Sequence, residues 1–388
     1  MNTKLKFIDL FCGIGGFHIA LKKLNCECVF ACDIDKNSRE VYRNNFNIEP
    51  VGDIKKINIK DIPDFDILCA GFPCQSFSNG GNKKCFDDER GMLFNEIIKI
   101  AEIKNPRFMI LENVKHILKI SNGEVLKYIL DKIKSIGYTC KIFQLSPHNY
   151  GIPQQRERVF FCCIKNDIYN SKDIQLIEEK LNLKISDIIK NKSKKYLIED
   201  DIKNVLDAWD ELIKKFNIGE KISPTILIND YFKNYTEEEF LQLPGWKKDY
   251  MDKNKKLIEK YIDIITPWYN KYKEILTKRE IYGKLEWQTG ILKKDDSIYN
   301  YFIQIRQSGI RVKKNKYFPT LVAMGQIPIY GKNKSYITPR ECARLQSFPE
   351  DFILHEKDKI SYKQLGNSVN THMVYIVANS LLTHYNSL

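Results

Sequence analysis

The chain has 388 residues, 62 of them Lys or Arg against 49 Asp or Glu, which gives a formal net charge of +13. At 43% hydrophobic residues it can bury one large core or two linked ones, which excludes wholesale disorder, and the cationic surplus favours a polyanionic partner. No apolar run approaches the roughly 20 residues of a membrane span, and the start "MNTKLKFIDLF" enters a strand-like pattern without a signal-type apolar region, so a cytoplasmic protein is expected.

From residue 4 to 164 one theme recurs: a short apolar run, a small or polar cluster, then a helix-like segment. The first run, "KFIDLF", leads into "CGIGGFHIAL", where a glycine turn and a helix start aim backbone N–H groups at a ligand. Gly13, Gly15 and Gly16 crowd more closely than in a G-x-G-x-x-G turn, which favours a small polar group over a pyrophosphate. The second run, "CVFACD", ends on Asp33, placed to accept hydrogen bonds from ribose hydroxyls, and Asp53 in "GDI" follows the next segment in the same way. "FDILCAGF" then delivers "GFPCQSFS", with Cys74 just past a predicted strand end, where an exposed thiolate is a nucleophile. After the amphipathic segment "GMLFNEIIKIAEI", the run "FMILENV" brings Glu112 to another strand end as a proton donor. "EVLKYILDKIKSI" predicts a second helix and "RVFFCCI" a fifth strand, and the near-continuous apolar character of all five runs predicts a parallel sheet covered on both faces.

The eleven cysteines are an odd number placed mostly in apolar stretches, as reduced core thiols are. Cys26, Cys28 and Cys32 lack paired zinc spacing and no histidines cluster near them, so no metal site is expected.

Beyond residue 166 the strand-and-glycine rhythm stops and a second domain is predicted. Residues 199–252 hold thirteen acidic and seven basic side chains, whereas 297–340 hold eight basic and no acidic ones. The basic stretch is the one expected to meet a polyanion, with the acidic stretch facing away. "LPGWKKDYMDKNKKLIEKY" predicts an exposed helix, and "MVYIVANSLL" a final helix that packs back on the first domain.

In order and spacing, "FIDLFCGIGGF", "GFPCQSFS", "ENV", "QQRERVF", "RECARLQSFP" and "GNSV" resemble the motifs of the cytosine-5 DNA methyltransferases, over about 7–164 and 319–382. The resemblance implies an α/β fold, a Rossmann-like mixed sheet with helices on both faces, plus a smaller target-recognition domain. The expected division is a catalytic and cofactor-binding domain at 1–165, completed by 360–388, with the recognition domain and hinge at 166–359. It implies S-adenosylmethionine as methyl donor, no metal, double-stranded DNA as substrate, a restriction endonuclease of the same site as partner, and a monomer.

Carried onto this chain, the resemblance makes Cys74 the nucleophile at cytosine C6, Glu112 the acid at N3, and Arg156 and Arg158 the groups that hold O2. Phe11, Gly13, Ile14, Gly16, Asp33, Ile34, Asp53, Ile54, Pro73, Leu93, Asn367 and Ser368 match positions around the cofactor. The family often has an aromatic residue where Ile34 stands. Gln75, Ser78, Lys83 and Lys84 fall on a loop expected to close over DNA. Arg306, Gln307 and Arg311 are candidates for base edges, Lys313, Lys314 and Lys316 for phosphates, and Thr320 for the target phosphate. Arg340 and Glu341 in "RECARLQSFP" are expected to be structural. Two other readings share these motifs, a tRNA cytosine-5 methyltransferase and a catalytically silent DNA-binding protein; the basic stretch argues against the first and the intact Cys74, Glu112, Arg156 and Arg158 against the second.

Overall fold

The structure, a computed structural model, describes residues 4–73, 92–169, 172–190, 193–222, 225–323 and 325–386. Two units emerge, one made of Met1–Ile188, Val322–Met324 and Pro339–Leu388, the other of Ile189–Leu321 and Gly325–Thr338.

In the first unit six strands lie in the order β2 (Glu27–Cys32), β1 (Lys6–Leu10), β3 (Ile67–Gly71), β4 (Phe108–Val114), β6 (Arg158–Lys165) and β5 (Tyr138–Leu145). β1 to β4 are parallel to one another, while β6 runs antiparallel to both β4 and β5. The sheet is therefore mixed, and the all-parallel arrangement expected from the apolar runs is corrected. Residues 146–157, between β5 and β6, hold only the short helical turn Pro147–Tyr150. A connection without a crossover helix brings the chain back antiparallel. β5 was not among the predicted strands, because at the sheet edge most of its side chains stay half-exposed and its sequence "YTCKIFQL" mixes polar and apolar residues.

The strand residues divide between two cores. Ile8, Leu10, Leu68, Met109, Leu111 and Phe161 pack with Ile97 and Ile100 of α3 (Met92–Lys104) and Ile129 and Ile133 of α4 (Glu124–Ser135). Phe7, Ile67, Phe108, Ile110 and Phe160 pack with Phe17 and Leu21 of α1 (Gly16–Lys23) and with Val374, Ala378 and Leu381 of the C-terminal helix Thr371–Asn386. Burial on both faces is why these strands read as continuous apolar runs. α2 (Lys36–Phe46) starts on Asp35, whose side chain accepts from the Ser38 N–H, satisfying one of the donors a helix start leaves open.

The second unit is a sheet with helices on one face. Its strand order is β12 (Ser335–Tyr336), β11 (Ile329–Tyr330), β9 (Phe302–Arg306), β10 (Gly309–Lys313), β8 (Lys284–Gln288) and β7 (Thr225–Leu227). Leu285, Trp287, Ile303, Ile310 and Val312 face the helices Asp200–Lys215, Gly245–Lys260 and Ile262–Lys278. Trp209 and Trp268 anchor that core, their indole N–H groups donating to the carbonyls of Tyr282 and Ala208 at 2.8 Å each. No helix among the described residues is long and apolar enough to cross a membrane, and the described cysteines are all free thiols.

The approach of α1 to the chain near Val369 leaves no room for a side chain at Gly16. A Cβ there would lie 2.4 Å from Val369 Cγ2 and 3.3 Å from the Val369 carbonyl oxygen. Gly16→Ala is expected to lower stability by about 1–3 kcal/mol, as overpacking does. At Gly245, where a Cβ would meet nothing within 4 Å, the same change is expected to leave stability unchanged or slightly raised. Urea denaturation midpoints of the two variants measure the contrast.

Candidate active site

The ends of β1, β2, β3 and β4 and the start of β6 share one edge of the sheet. Past β1 the chain turns sharply: Phe11, Gly13 and Gly15 have φ of 54°, 53° and 88°. A Cβ at Gly13 would meet nothing within 4 Å, so this turn borders open space, while Ile14 and Gly16 are buried. Asp33, just past β2, accepts from the N–H groups of Gly13 and Asp35 at 2.8 Å each. The carboxylate thus shapes the glycine turn before it meets any ligand. Burial raises its pKa and those two N–H bonds draw it back.

Asp53 does not follow a full strand. Val51 makes a single parallel bridge to Cys32, with the Asp33 N–H donating to its carbonyl, and this carries Asp53 beside the end of β2. Asp53 caps the turn Ile54–Lys56 by accepting from the Lys55 N–H. Ile54 is buried, and Ile34 is 76% exposed. Asn367 is exposed and Ser368 buried at the end of the helix Asp358–Asn367. Leu93 is half-buried in α3 and Pro73 is exposed.

Glu112 is the electrostatic centre of this edge. It is buried on β4, and its Oε1 lies 3.0 Å from Arg158 Nε. Burial raises the Glu112 pKa, and the attraction of Arg158 and then of Arg156 opposes the rise. Burial likewise pulls Arg158 down against the attraction of Glu112. A guanidinium stays protonated in proteins, so Arg158 remains the cation that steadies the buried carboxyl. Gly71 lies beside that carboxyl: a Cβ there would stand in ordinary contact, 3.7 Å from Glu112 Oε2.

Arg156 is buried and differently engaged. Its Nη2 donates to the carbonyls of Gly366 and Ser368 at 2.9 and 2.7 Å. Gln346 Nε2 donates to the carbonyls of Leu365 and Ser368, so the "GNSV" turn is fastened from two sides. Arg340 donates to the carbonyls of Pro349 and Phe352, the anchoring of a turn by a residue expected to be structural.

Cys74, Gln75, Ser78, Lys83 and Lys84 lie outside the described residues. Of the candidates on the second unit, Arg306 and Arg311 sit on β9 and β10, Gln307 is exposed in the two-residue turn between them, and Thr320 is half-buried beyond.

Two residues at this edge were missed in the sequence. Asn113 Nδ2 donates to the Phe72 carbonyl at 3.0 Å, fixing the chain two residues before Cys74. The signal was its place in "ENV", beside a residue that drew all the attention. Asp9 is fully buried; burial, then repulsion from Asp33, raises its pKa well above the usual range, and a bond from the His18 backbone opposes the rise. Among the described residues no cluster of His, Cys, Asp and Glu is placed to hold a metal.

Residues 5–383 match the family described as C-5 cytosine-specific DNA methylase. The type II methyltransferase M.HhaI of Haemophilus parahaemolyticus is 30% identical over 381 residues, covering 98% of this chain and 94% of that protein. The type II methyltransferase M.BanI of Aneurinibacillus aneurinilyticus is 31% identical over 423 residues, covering 97% and 96%. Among solved structures, the Entamoeba histolytica methyltransferase EhMeth shares the fold with a TM-score of 0.59 at 21% identity over 99% of each chain. The S. pombe Dnmt2 methyltransferase does so with a TM-score of 0.55 at 19% identity, over 99% of this chain and 100% of that one.

Arg158→Ala would leave Glu112 buried with its nearest cation gone. Its folded pKa would then rise further above the unfolded value, and a raised carboxyl costs nothing below the unfolded pKa but loses stability as pH climbs through the folded one. The variant is expected to be less stable by about 3–5 kcal/mol at pH 8, as for a broken buried pair, and by clearly less at pH 5. Chemical denaturation at the two pH values checks the sign.

Proposed function

Because the chain belongs to the family of C-5 cytosine-specific DNA methylases, and so methylates cytosine at C5 in DNA, we propose that Cys74 is its nucleophile, Glu112 its acid and S-adenosylmethionine its methyl donor. The observation that carries this reading is the buried Glu112, its pKa raised by burial and its carboxyl held by Arg158, on the strand next to the one that leads to Cys74.

Cytosine C5 is too weak a nucleophile to take a methyl group unaided. The Cys74 thiolate forms a bond to C6, the C5=C6 pair shifts toward C4, and N3 takes the proton of Glu112, which leaves C5 an enamine carbon. Once C5 carries its new methyl group, a base removes the C5 proton, the C5=C6 bond re-forms, the thiolate leaves, and the N3 proton returns to Glu112. Arg158 orients Glu112 and donates to O2. Arg156 acts through the "GNSV" turn it fastens. Asn113 sets the direction in which the chain leaves β3 toward the thiol.

The cofactor would rest on residues that suit it. The turn Phe11–Gly16 offers open backbone, Asp33 and Asp53 bring carboxylates to the edge of β2 for hydroxyl and amine groups, and Ile34 presents an exposed aliphatic face for the adenine. Ile14, Ile54, Pro73, Leu93, Asn367 and Ser368 complete this surface. Bound there, S-adenosylmethionine supplies a methyl group on a sulfonium, an electrophile that the activated C5 can accept.

The reactive atoms of a stacked base cannot be reached in place, so the cytosine leaves the duplex first. Gln75, Ser78, Lys83 and Lys84 contact DNA around it, and the second unit reads the sequence through Arg306, Gln307 and Arg311, with Thr320 on the target phosphate. The biological setting is the modification half of a restriction-modification system, the enzyme working as a cytoplasmic monomer beside a nuclease of the same specificity.

Labelled S-adenosylmethionine offered with duplex DNA and with tRNA tests the assignment. Label is expected at cytosine C5 in DNA, with Cys74→Ala lowering the rate by about a thousandfold or more, as loss of a nucleophile does. Label in tRNA alone, or undiminished transfer by Cys74→Ala, would overturn it.

A further inference from the structure

The outward face of the second unit's sheet carries a polar row. Thr225 stands opposite Glu286 on β8, Glu286 opposite Arg311 on β10, and Arg311 opposite Gln304 on β9. Because side chains alternate along a strand, Arg306 and Lys313 project to the same face, while Ile303, Ile310, Val312, Leu285 and Trp287 project into the core.

Charge on this face is not balanced. Lys284 is neutralised by Glu280 at 2.5 Å, which leaves Glu286 facing Arg306, Arg311 and Lys313. Glu286 is buried, and its Oε2 accepts from Arg311 Nε at 2.5 Å. Neither Nη group of Arg311 has a hydrogen-bond partner among the described residues. Arg306 Nε is buried with no hydrogen-bond partner among the described residues. Burial and then repulsion from Arg311 draw the pKa values of Arg306 and Lys313 down, with Glu286 opposing at Arg306. Arg306 and Arg311, crowded at a half-buried face beside the Glu286 carboxylate, are placed to take an acceptor from outside the chain.

We propose that Arg311 reads a guanine of the recognition sequence, and that Glu286 is the positioning residue that aims it. This rests on the assignment of sequence reading to the second unit. With Nε tied down, the planar Nη edge is left as a preset pair of donors, matched to O6 and N7 of guanine in the major groove. The carboxylate also decides between acceptors: a negative charge 2.5 Å from Nε weakens attraction to a phosphate, whereas a guanine edge is neutral. Lys314 and Lys316, exposed and just beyond β10, are better placed for phosphates.

The experiment maps 5-methylcytosine across a random-sequence duplex library treated with the full-length enzyme, Arg311→Lys or Glu286→Gln. Arg311→Lys keeps a cation but loses the planar fork. It is expected to lose discrimination at one G·C pair of the site by on the order of ten- to a hundredfold, the other positions being kept. Glu286→Gln is expected to relax the same pair to a smaller degree. An even loss over all sequences with an unchanged profile in Arg311→Lys would overturn the proposal, and if Glu286→Gln does not fold the Arg311→Lys profile decides alone. A wild-type enzyme that methylates DNA without sequence preference would instead overturn the role of the second unit, and with it this inference.

Discussion

The reversal of β6 sets the position of the Arg158–Glu112 pair, and the edge of the sheet where β4 ends is organised around that pair. Antiparallel to β4, β6 begins where β4 ends, with Arg158 opposite Val114 and one step along the same face from Glu112. Run in parallel, it would have carried Arg158 to the opposite edge of the sheet, away from the buried carboxyl. Burying two charges is costly in itself and a broken pair costs more, so the partners hold each other in place. Burial pushes Glu112 toward its neutral form and Arg158 limits the push. A carboxyl balanced in this way can give up a proton and take it back, which neither a solvated glutamate nor a permanently neutral one does well.

The chain near that pair is built to hold its surroundings still. Gly71 lies beside Glu112, and Val369 of the "GNSV" turn borders the same spot. The turn is itself fastened by Arg156 and Gln346. Chain segments more than 200 residues apart in sequence therefore meet at one edge, since Arg156 bonds to Gly366 and Ser368. The C-terminal helix covers the face of the sheet that β1, β3, β4 and β6 leave apolar, which is why the chain returns to the first unit after the second is complete.

This arrangement was partly legible in the sequence. β1, β3, β4 and β6 could be read because strands buried on both faces leave nearly unbroken apolar runs, and Glu112 and Asp33 stood out as carboxylates at the ends of strand-like runs. The residue pattern alone did not show strand direction, which depends on how the connection crosses the sheet and not on residue type; the mixed sheet was implied only by the family resemblance. β5 escaped because an edge strand with half-exposed side chains has no distinctive period. An arginine holding two carbonyls, such as Arg156, has the same letters around it as one waiting for a substrate. Glu286 offered no signal either, since it becomes meaningful only when a parallel partner strand sets it opposite Arg311.

The charge pattern of the second unit shows where such reading stops. The acidic excess of residues 199–252 suggested a face turned from a polyanion, yet much of it is neutralised inside the unit by lysines from beyond that stretch. Lys278 meets Asp201, Lys271 meets Glu211, Lys260 meets Glu220 and Lys334 meets Asp207. Exposed pairs of this kind add little stability each, but they return the stretch toward neutrality and tie the helices to one another. Summed charge along the chain therefore mislocates the field. What a partner meets is the charge left over after folding, and on the polar side of the sheet Arg306 and Arg311 face the carboxylate of Glu286. The strand register, by choosing which cation that carboxylate holds, also chooses which one is presented with a fixed orientation.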